Sequence, residues 1–386
     1  MKNIANNFAV VAYTTFSTDS RVQKETHAAA ELGYQPDVYT LSDKGLNKNY
    51  PFNFIKSYIS QYKGSSKSKY IFSYLKFFLY CFFNLSFNFF KKRYKFIHFH
   101  NMPNFLVFSA IVPKLFGTKI ILDIHDLMPE LFSVKFNLST THFLIKLFYF
   151  EERISAKFAT EIIATNSFHV ERFKENGFEN KRITQIINVA DEKIFYAPTK
   201  EETDSEELVL AYPSTLSKRL GIDSLIEALE ILVKKGLLLK LNIYGDGEYR
   251  SEIIQIIKDK ELESVIKLSE SFISLKDLSF ELDKAQVGVI PLPSNKSNDI
   301  AMPVKIYEFF AKKLCVVASD LPLLNYCFAD TVLFFKAGSS EDLARKIEYL
   351  YNNRKVMREF AEKGYKHFSS RTWDYYKTKY QSIITA

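Results

Sequence analysis

The chain has 386 residues, 47% hydrophobic and 25% charged, with 52 Lys and Arg against 44 Asp and Glu. That is enough apolar material for the cores of two domains, and with 12 Gly, 11 Pro and no low-complexity tract it excludes a disordered chain and a collagen-like or coiled-coil fibre. Cys81, Cys315 and Cys327 show no CxxC spacing, which argues against a disulfide framework or a cysteine-ligated metal and fits a reducing compartment.

The first 13 residues carry one Lys and a short interrupted apolar run, so they read as a first strand and not as a secretory signal. Apolar runs predict strands over 8–13, 36–40, 96–100, 119–123, 161–164 and 183–187, and helical spacing predicts helices over 19–32, 104–116 and 167–175. Gly33, Gly117 and Gly177 stand just past those helices. After the acidic stretch 200–207 the rhythm restarts. Strands are predicted over 208–212, 239–244, 265–268, 287–291, 315–318 and 331–335, with helices over 222–235, 249–259, 304–313 and 340–352. Runs rich in Val, Ile and Phe without strict alternation suit strands buried on both faces of a parallel sheet. Two such sets predict an α/β chain of two doubly wound, Rossmann-like domains, with ligands in the cleft between them. The expected division is 1–190, a linker over 191–207, and 208–370.

Charge is unevenly placed. Residues 1–190 carry net +10 and the remainder net −2, and from Lys44 to Lys119 there are 13 Lys or Arg and no Asp or Glu. This segment surrounds 70–90, in which 11 of 21 residues are Phe or Tyr. Lys76, Asn84, Ser86 and Asn88, and aromatics in place of a Leu and Ile centre, read against a spanning helix. Basic clusters such as Lys91-Lys92-Arg93-Tyr94-Lys95 beside amphipathic aromatic segments suit an anionic membrane surface. A nucleic acid and an ordinary solvated helix face are the competing readings.

Four segments carry the chemistry. Residues 211–221, AYPSTLSKRLG, join a predicted strand to a predicted helix and offer backbone N–H groups, a helix N-terminus, Lys218 and Arg219 to a phosphate; a solvated loop is the plain alternative. In 298–308, NDIAMPVKIYE, Pro303 falls in the first helical turn, and Lys305 and Glu308 share a face, where a carboxylate could accept from ribose hydroxyls or simply form an ion pair. In 121–130, ILDIHDLMPE, His125 beside Asp126 at a strand end suggests a tuned acid or base, a grip on a sugar hydroxyl, a metal ligand or a structural histidine. In 19–25, DSRVQKE, Asp19 or Ser20 caps a helix while Arg21 and Lys24 could hold an anionic acceptor.

In their order and spacing these segments resemble family 4 of the nucleotide-sugar glycosyltransferases, of the two-Rossmann GT-B fold. The likeness runs nearly end to end, through DSRVxKE (19–25), HxHN (98–101), DxHDLxPE (123–130), ATNS (164–167), NVADEKIF (188–195), STLSKRLGID (214–223), YGDGEYR (244–250) and PVKIYEFFAKKLCVVASDLP (303–322). The resemblance implies transfer of a hexosyl or N-acetylhexosaminyl group from a nucleoside diphosphate sugar to an acceptor hydroxyl with retention of configuration, without a metal on the diphosphate and without a further cofactor. It implies catalytic roles for His125, Asp126 and Glu308, the last also on the donor ribose. Donor contacts are implied for Ser214, Thr215, Lys218, Arg219, Gly245, Asp299 and Lys305, and acceptor contacts for Asp19, Ser20, Arg21, Lys24 and His100. Residues 371–386 would pack back on the first domain.

The chain departs from the family pattern in places. The first glutamate of the EX7E motif is Ile300, with Asp299 adjacent as a substitute; the usual Gly-Arg of the phosphate loop is Ser214-Thr215, and the usual Lys before Gly221 is Leu220. Lys218 or Arg219 must then supply the positive charge, and Lys313 stands where the family has a small Gly. The DSRVxKE and DLxPE pair is most similar to bacterial members that build capsule, exopolysaccharide or lipopolysaccharide units on a polyprenyl diphosphate carrier. That implies a lipid-linked glycan acceptor, peripheral attachment to the cytoplasmic face of the inner membrane, and no nucleic-acid partner. A nucleotide-sugar epimerase of the same fold and a non-catalytic membrane-attached scaffold are the alternatives; an NAD-dependent oxidoreductase is disfavoured because Tyr13-Thr14-Thr15-Phe16, and no GxGxxG, follows the first strand.

Overall fold

A computed structural model describes residues 6–43, 45–46, 50–62, 67–197 and 206–386. Residues 44, 47–49 and 63–66 of the basic segment, and 198–205 of the 191–207 linker, lie outside the described residues. The chain forms two compact units, Met1–Asn188 together with Tyr376–Ala386, and Val189–Tyr375.

The first unit opens with β1 (Asn7–Ala12), whose six residues are all buried, as a strand covered on both faces requires. Asp19 then starts α1 (Ser20–Glu31) by accepting the Val22 N–H at 3.1 Å. There follow β2 (Gln35–Tyr39), β3 (Asn53–Phe54), α2 (Lys67–Lys92), β4 (Phe96–His100), α3 (Ile111–Leu115), β5 (Lys119–Ile124), α4 (Met128–Lys135), α5 (Phe143–Phe158), β6 (Glu161–Ala164), α6 (Ser167–Phe173) and β7 (Ile183–Gln185). The strands form one parallel sheet in the order β3-β2-β1-β4-β5-β6-β7. The order reverses between β1 and β4, where Ala12 lies opposite His100, so the carboxyl ends of these two strands open the crevice in which such sheets bind ligands.

One expectation for this unit changes. The helix predicted over 104–116 is a 3-10 segment, Asn104–Ala110, followed by the short α3. Pro113 has no N–H to give to residue 109 and its ring crowds that carbonyl, so an α-helix can form only with Pro113 inside its first turn. The aromatic segment is α2, apolar on two faces. Tyr74, Phe77, Cys81, Leu85 and Phe89 are buried, while Phe72, Leu79, Phe83, Phe87 and Phe90 are exposed. Among the described residues no helix is long and apolar enough to cross a membrane.

The second unit repeats the pattern with β8 (Leu208–Pro213), α7 (Ile222–Lys234), β9 (Leu239–Tyr244), α8 (Arg250–Asp259), β10 (Ile266–Leu268), α9 (Leu275–Leu282), β11 (Val287–Ile290), α10 (Lys305–Ala311), β12 (Cys315–Ser319), α11 (Pro322–Phe328), β13 (Val332–Phe335), α12 (Ser340–Asn352) and α13 (Arg354–Ser369). Its parallel sheet runs β10-β9-β8-β11-β12-β13, so the switch point lies between β8 and β11. Leu225, Leu229 and Leu232 of α7 and Leu343 and Ile347 of α12 pack with Leu210 and Leu241 in one core, each side chain contributing about 1.5–3 kcal/mol by its burial. Pro303 falls just before α10 and not within it. The last helix, α14 (Trp373–Thr385), belongs from Tyr376 onward to the first unit, where Tyr380, Ile383 and Ile384 are buried.

Candidate functional site

At the switch point of the first unit, titratable side chains converge from four elements and one loop. Arg21 of α1 donates from Nε and Nη2 to the two carboxylate oxygens of Asp123 on β5, both at 2.7 Å, and from Nη1 to the Ile186 carbonyl at 3.1 Å. Glu25, one turn along α1, lies 3.4 Å from Arg21 Nε. His98 and His100 of β4 stack with ring centroids 4.1 Å apart, and His98 Nδ1 is 3.0 Å from the Tyr380 hydroxyl of α14. His125, in the loop after β5, places Nε2 3.0 Å from Asp123 Oδ2 and 3.2 Å from His100 Nδ1. Its backbone N–H is fixed by the Asn101 side chain at 2.8 Å.

Burial sets the charge states. It works against an ionised Asp123, but Arg21 overrides it, with help from His125 and His100, and holds the carboxyl well below the usual carboxylate range. Glu25 is pushed well above that range by burial, which Arg21 only partly offsets. Burial likewise lowers His98 and His100, keeping both rings neutral near pH 7. Glu25, His98, His100 and Asp123 place donor atoms within 4.8 Å of one another, a spacing a cation could use. Arg21 already occupies both Asp123 oxygens, so the cluster carries its own cation.

This arrangement corrects two expected acceptor contacts. Arg21 is 3% exposed and committed to Asp123, and His100 is 2% exposed within the ring stack, so neither is available to an anionic acceptor. Asp19 caps α1, while Ser20 and Lys24 are half-buried on that helix. Asp126 is exposed, and its backbone carbonyl accepts from the Asn101 amide at 2.7 Å. Glu25, His98, Asp123 and Tyr380 were passed over as site residues. The first three stood inside the quoted motifs, but spacing alone does not show which motif residues meet.

In the second unit the loop after β8 is clamped between its neighbours. Gly221 has φ +79°, and a Cβ there would overlap the Pro291 carbonyl oxygen after β11. A Cβ on Gly245 or Gly247 after β9 would overlap the Ser214 or Leu216 carbonyl oxygen. Gly245 therefore lets two loops touch, a packing role. Around this loop, Lys305 Nζ lies 3.4 Å from Ser214 Oγ, and Ser217 Oγ donates to Glu248 at 2.6 Å. Burial lowers the Lys305 ammonium, opposed by Glu308 and reinforced by Arg219, which places one carboxylate and two cations in electrostatic reach of one another. Glu308 is buried in α10, whereas Asp299 turns to its own loop and accepts from Ser294 Oγ at 3.0 Å. Thr215 and Lys218 are exposed on the clamped loop, and Arg219 is exposed beside them. Glu248, which Ser217 and Arg219 hold below its ordinary value, was missed; it lay within the YGDGEYR segment.

Comparison with known proteins agrees with this double construction. A profile described as Glycosyltransferase Family 4 matches residues 21–193, and one described as Glycosyl transferases group 1 matches residues 196–367. A chitobiosyldiphosphodolichol beta-mannosyltransferase of Candida albicans is 23% identical over 275 residues, covering 67% of this chain and 59% of that protein. The chain thus spans less than two thirds of that relative's length. Sucrose-phosphate synthase from Thermosynechococcus elongatus has the same fold with a TM-score of 0.79 at 15% identity, covering 98% of both chains. The Anabaena protein HepE in complex with UDP gives a TM-score of 0.70 at 14% identity over 98% of this chain and 99% of that one. The chain belongs to glycosyltransferase family 4, a family of transferases with two Rossmann-like domains in the GT-B fold.

Proposed function

We propose that this protein transfers a hexosyl or N-acetylhexosaminyl group from a nucleoside diphosphate sugar to a hydroxyl of a lipid-linked glycan, with retention of configuration, during bacterial surface polysaccharide synthesis. The observation that carries the reading is the clamped loop 214–221 at the switch point of the second unit, with Lys305, Arg219 and the buried Glu308 about it. In this reading the diphosphate lies on the loop and the N-terminus of α7, and Glu308 accepts from the ribose. Lys218, Arg219 and Lys305 offset the charge of the leaving group in place of a metal. The bond from the anomeric carbon to the diphosphate breaks as the acceptor oxygen bonds that carbon, and the acceptor proton passes to a departing phosphate oxygen. His125 contacts the transferred sugar. The similar HepE was crystallised with UDP, and the similar Candida enzyme is named for a diphosphodolichol-linked substrate.

A thermal-shift screen against UDP-, GDP-, dTDP- and CMP-sugars, with and without EDTA, tests donor binding. One nucleotide class should stabilise the protein regardless of EDTA. With that donor and a polyprenyl diphosphate-linked acceptor, Glu308→Ala and the double change Lys218→Ala with Arg219→Ala should each slow turnover at least ~100-fold, about 2.7 kcal/mol. Normal rates in both would remove the assignment, and the anomeric coupling constant of the product decides retention.

The acceptor's lipid would be met by α2, at the cytoplasmic face of the inner membrane. Its exposed Phe83, Phe87 and Phe90 continue into Phe116, 5.8 Å from Phe90 between ring centroids, and the exposed Leu115. Lys91 lies over the Phe87 ring at 4.1 Å, and the Arg93 guanidinium lies 5.5 Å from that of Phe116. Lys92, by contrast, turns to Asp37 at 2.6 Å. Cations beside exposed aromatics suit anionic headgroups, each contributing ~1 kcal/mol. Phe83→Ser with Phe87→Ser, and separately Lys91→Gln with Arg93→Gln, should release the protein from phosphatidylglycerol vesicles in a flotation assay. Unchanged flotation in both removes the membrane face.

A further inference from the structure

The buried cluster in the first unit contains more polar groups than the proposed transfer uses, and its geometry fixes a proton. His125 Nε2 faces Asp123 Oδ2 at 3.0 Å. A carboxylate oxygen only accepts, so the ring nitrogen facing it carries hydrogen. The same Oδ2 takes the Arg21 Nε hydrogen at 2.7 Å, and His100 Nδ1 lies 3.3 Å from it and 3.2 Å from His125 Nε2. In a neutral ring His125 then keeps its lone pair on Nδ1, and its side chain is 23% exposed while every other member of the cluster is buried.

Behind His125 stands a column of stacked rings. His100 stacks on His98, His98 Nδ1 meets the Tyr380 hydroxyl at 3.0 Å, and the Tyr380 ring stacks on His98 with centroids 5.4 Å apart. The charged and titratable groups that face it are Arg21 and Glu25 from α1, Asp19 at the start of that helix, Asp123 from β5 and Tyr380 from α14. Arg21 and Asp123 neutralise each other. Burial raises both Glu25, against the pull of Arg21, and Tyr380.

We propose that Asp123 and the His100–His98–Tyr380 column are positioning residues that hold His125 as the Nε2–H tautomer, with Nδ1 presented as an acceptor to a hydroxyl of the transferred sugar. The inference rests on the reading of His125 as a sugar contact. It deepens that reading in one respect, specificity: the site accepts from a hydroxyl and offers it no hydrogen, so a donor lacking that hydroxyl leaves a lone pair unmatched and is rejected. It also makes α14 part of the machinery, since Tyr380 closes the column from outside the sheet.

The test is nitrogen-15 NMR of the full chain labelled at histidine, with the His125 signals assigned by their loss in His125→Gln. The expected pattern, read across a pH series, is a single Nε2–H tautomer in the neutral His125 ring, drifting to a mixture of tautomers in Tyr380→Phe, which removes the hydroxyl and keeps the ring. An Nδ1–H tautomer or an averaged pair in the neutral ring of the wild-type protein overturns the proposal. An unchanged His125 pattern in Tyr380→Phe removes α14 from it. Stoichiometric zinc by elemental analysis of the purified protein also overturns it, because a cation among Glu25, His98, His100 and Asp123 would replace the proton. A normal transfer rate in His125→Gln, with the Nε2–H tautomer present in the wild type, would instead defeat the sugar contact and leave the tautomer standing.

Discussion

Replacing Arg21 by Gln separates the structural role found here from acceptor binding. The guanidinium makes two charge-assisted hydrogen bonds of 2.7 Å to Asp123, one of 3.1 Å to Ile186, and approaches Glu25 at 3.4 Å. Hydrogen bonds to charged groups are worth about 1.5–3 kcal/mol each, so the two to Asp123 alone amount to about 3–6 kcal/mol. Removing one partner of a buried ion pair costs about 3–5 kcal/mol by direct precedent, because the other is left charged in an apolar setting. Both routes give about 4 kcal/mol. For a unit of about 200 residues each kcal/mol moves the midpoint by about 2–4 °C, so scanning calorimetry should show the first unit melting roughly 10 °C earlier. Arg21→Lys keeps the charge but not the fork, and should fall between. A melting temperature within about 2 °C of the wild type, together with a raised KM for acceptor, would refute the reasoning and return Arg21 to the acceptor site.

Three further outcomes follow from the packing and charge states. Gly221→Ala forces a residue with a side chain into φ +79° and against the Pro291 carbonyl, and should cost at least ~2 kcal/mol in denaturant unfolding and weaken UDP binding; Gly236→Ala, at φ +81° with open space around it, should cost only ~1 kcal/mol and leave binding intact. Glu151 is raised to about 7 by burial, so the stability its protonation contributes is present below its unfolded value near 4.5 and lost as pH rises through about 7. Glu151→Gln should therefore stabilise the fold more in mildly alkaline buffer than in acid, by up to ~3 kcal/mol in denaturant unfolding, and an equal gain at both would contradict the assignment. Lys305 is lowered by burial, and an anion arriving beside it opposes that lowering. Binding of UDP should thus take up protons in alkaline buffer and weaken as pH rises, visible by calorimetry in buffers of different ionisation enthalpy and absent in Lys305→Met.

The strands were the most legible part of the chain. Buried on both faces, they appear as unbroken apolar runs, and 96–100, 161–164 and 239–244 coincide with β4, β6 and β9 to the residue. Helices on the outside of the sheets were harder. α4, α5, α9, α11 and α13 went unpredicted: α4, α9 and α11 are too short to display a helical period, whereas α13 carried a readable one, Met357, Ala361, Gly364 and Phe368, that went unread. At the site, the sequence displayed most of the participants but not their pairings. Arg21 reads as a surface cation from its polar neighbours, and becomes a buried one only because α1 turns the face of Val22, Glu25 and Ala29 toward a strand that arrives 102 residues later. The same limit hid Tyr380, 282 residues from His98.

The division of the chain also sets an order of events. The second unit is continuous, Val189–Tyr375, whereas the first is assembled from both ends of the described chain. During synthesis the later unit has all its residues before the earlier one does, and His98 waits in a half-built core until Tyr380 emerges. A gene fragment encoding 189–375 can be expected to yield a folded protein. One encoding 1–188 leaves the groove for α14 uncovered and should bind a synthetic 373–386 peptide in trans.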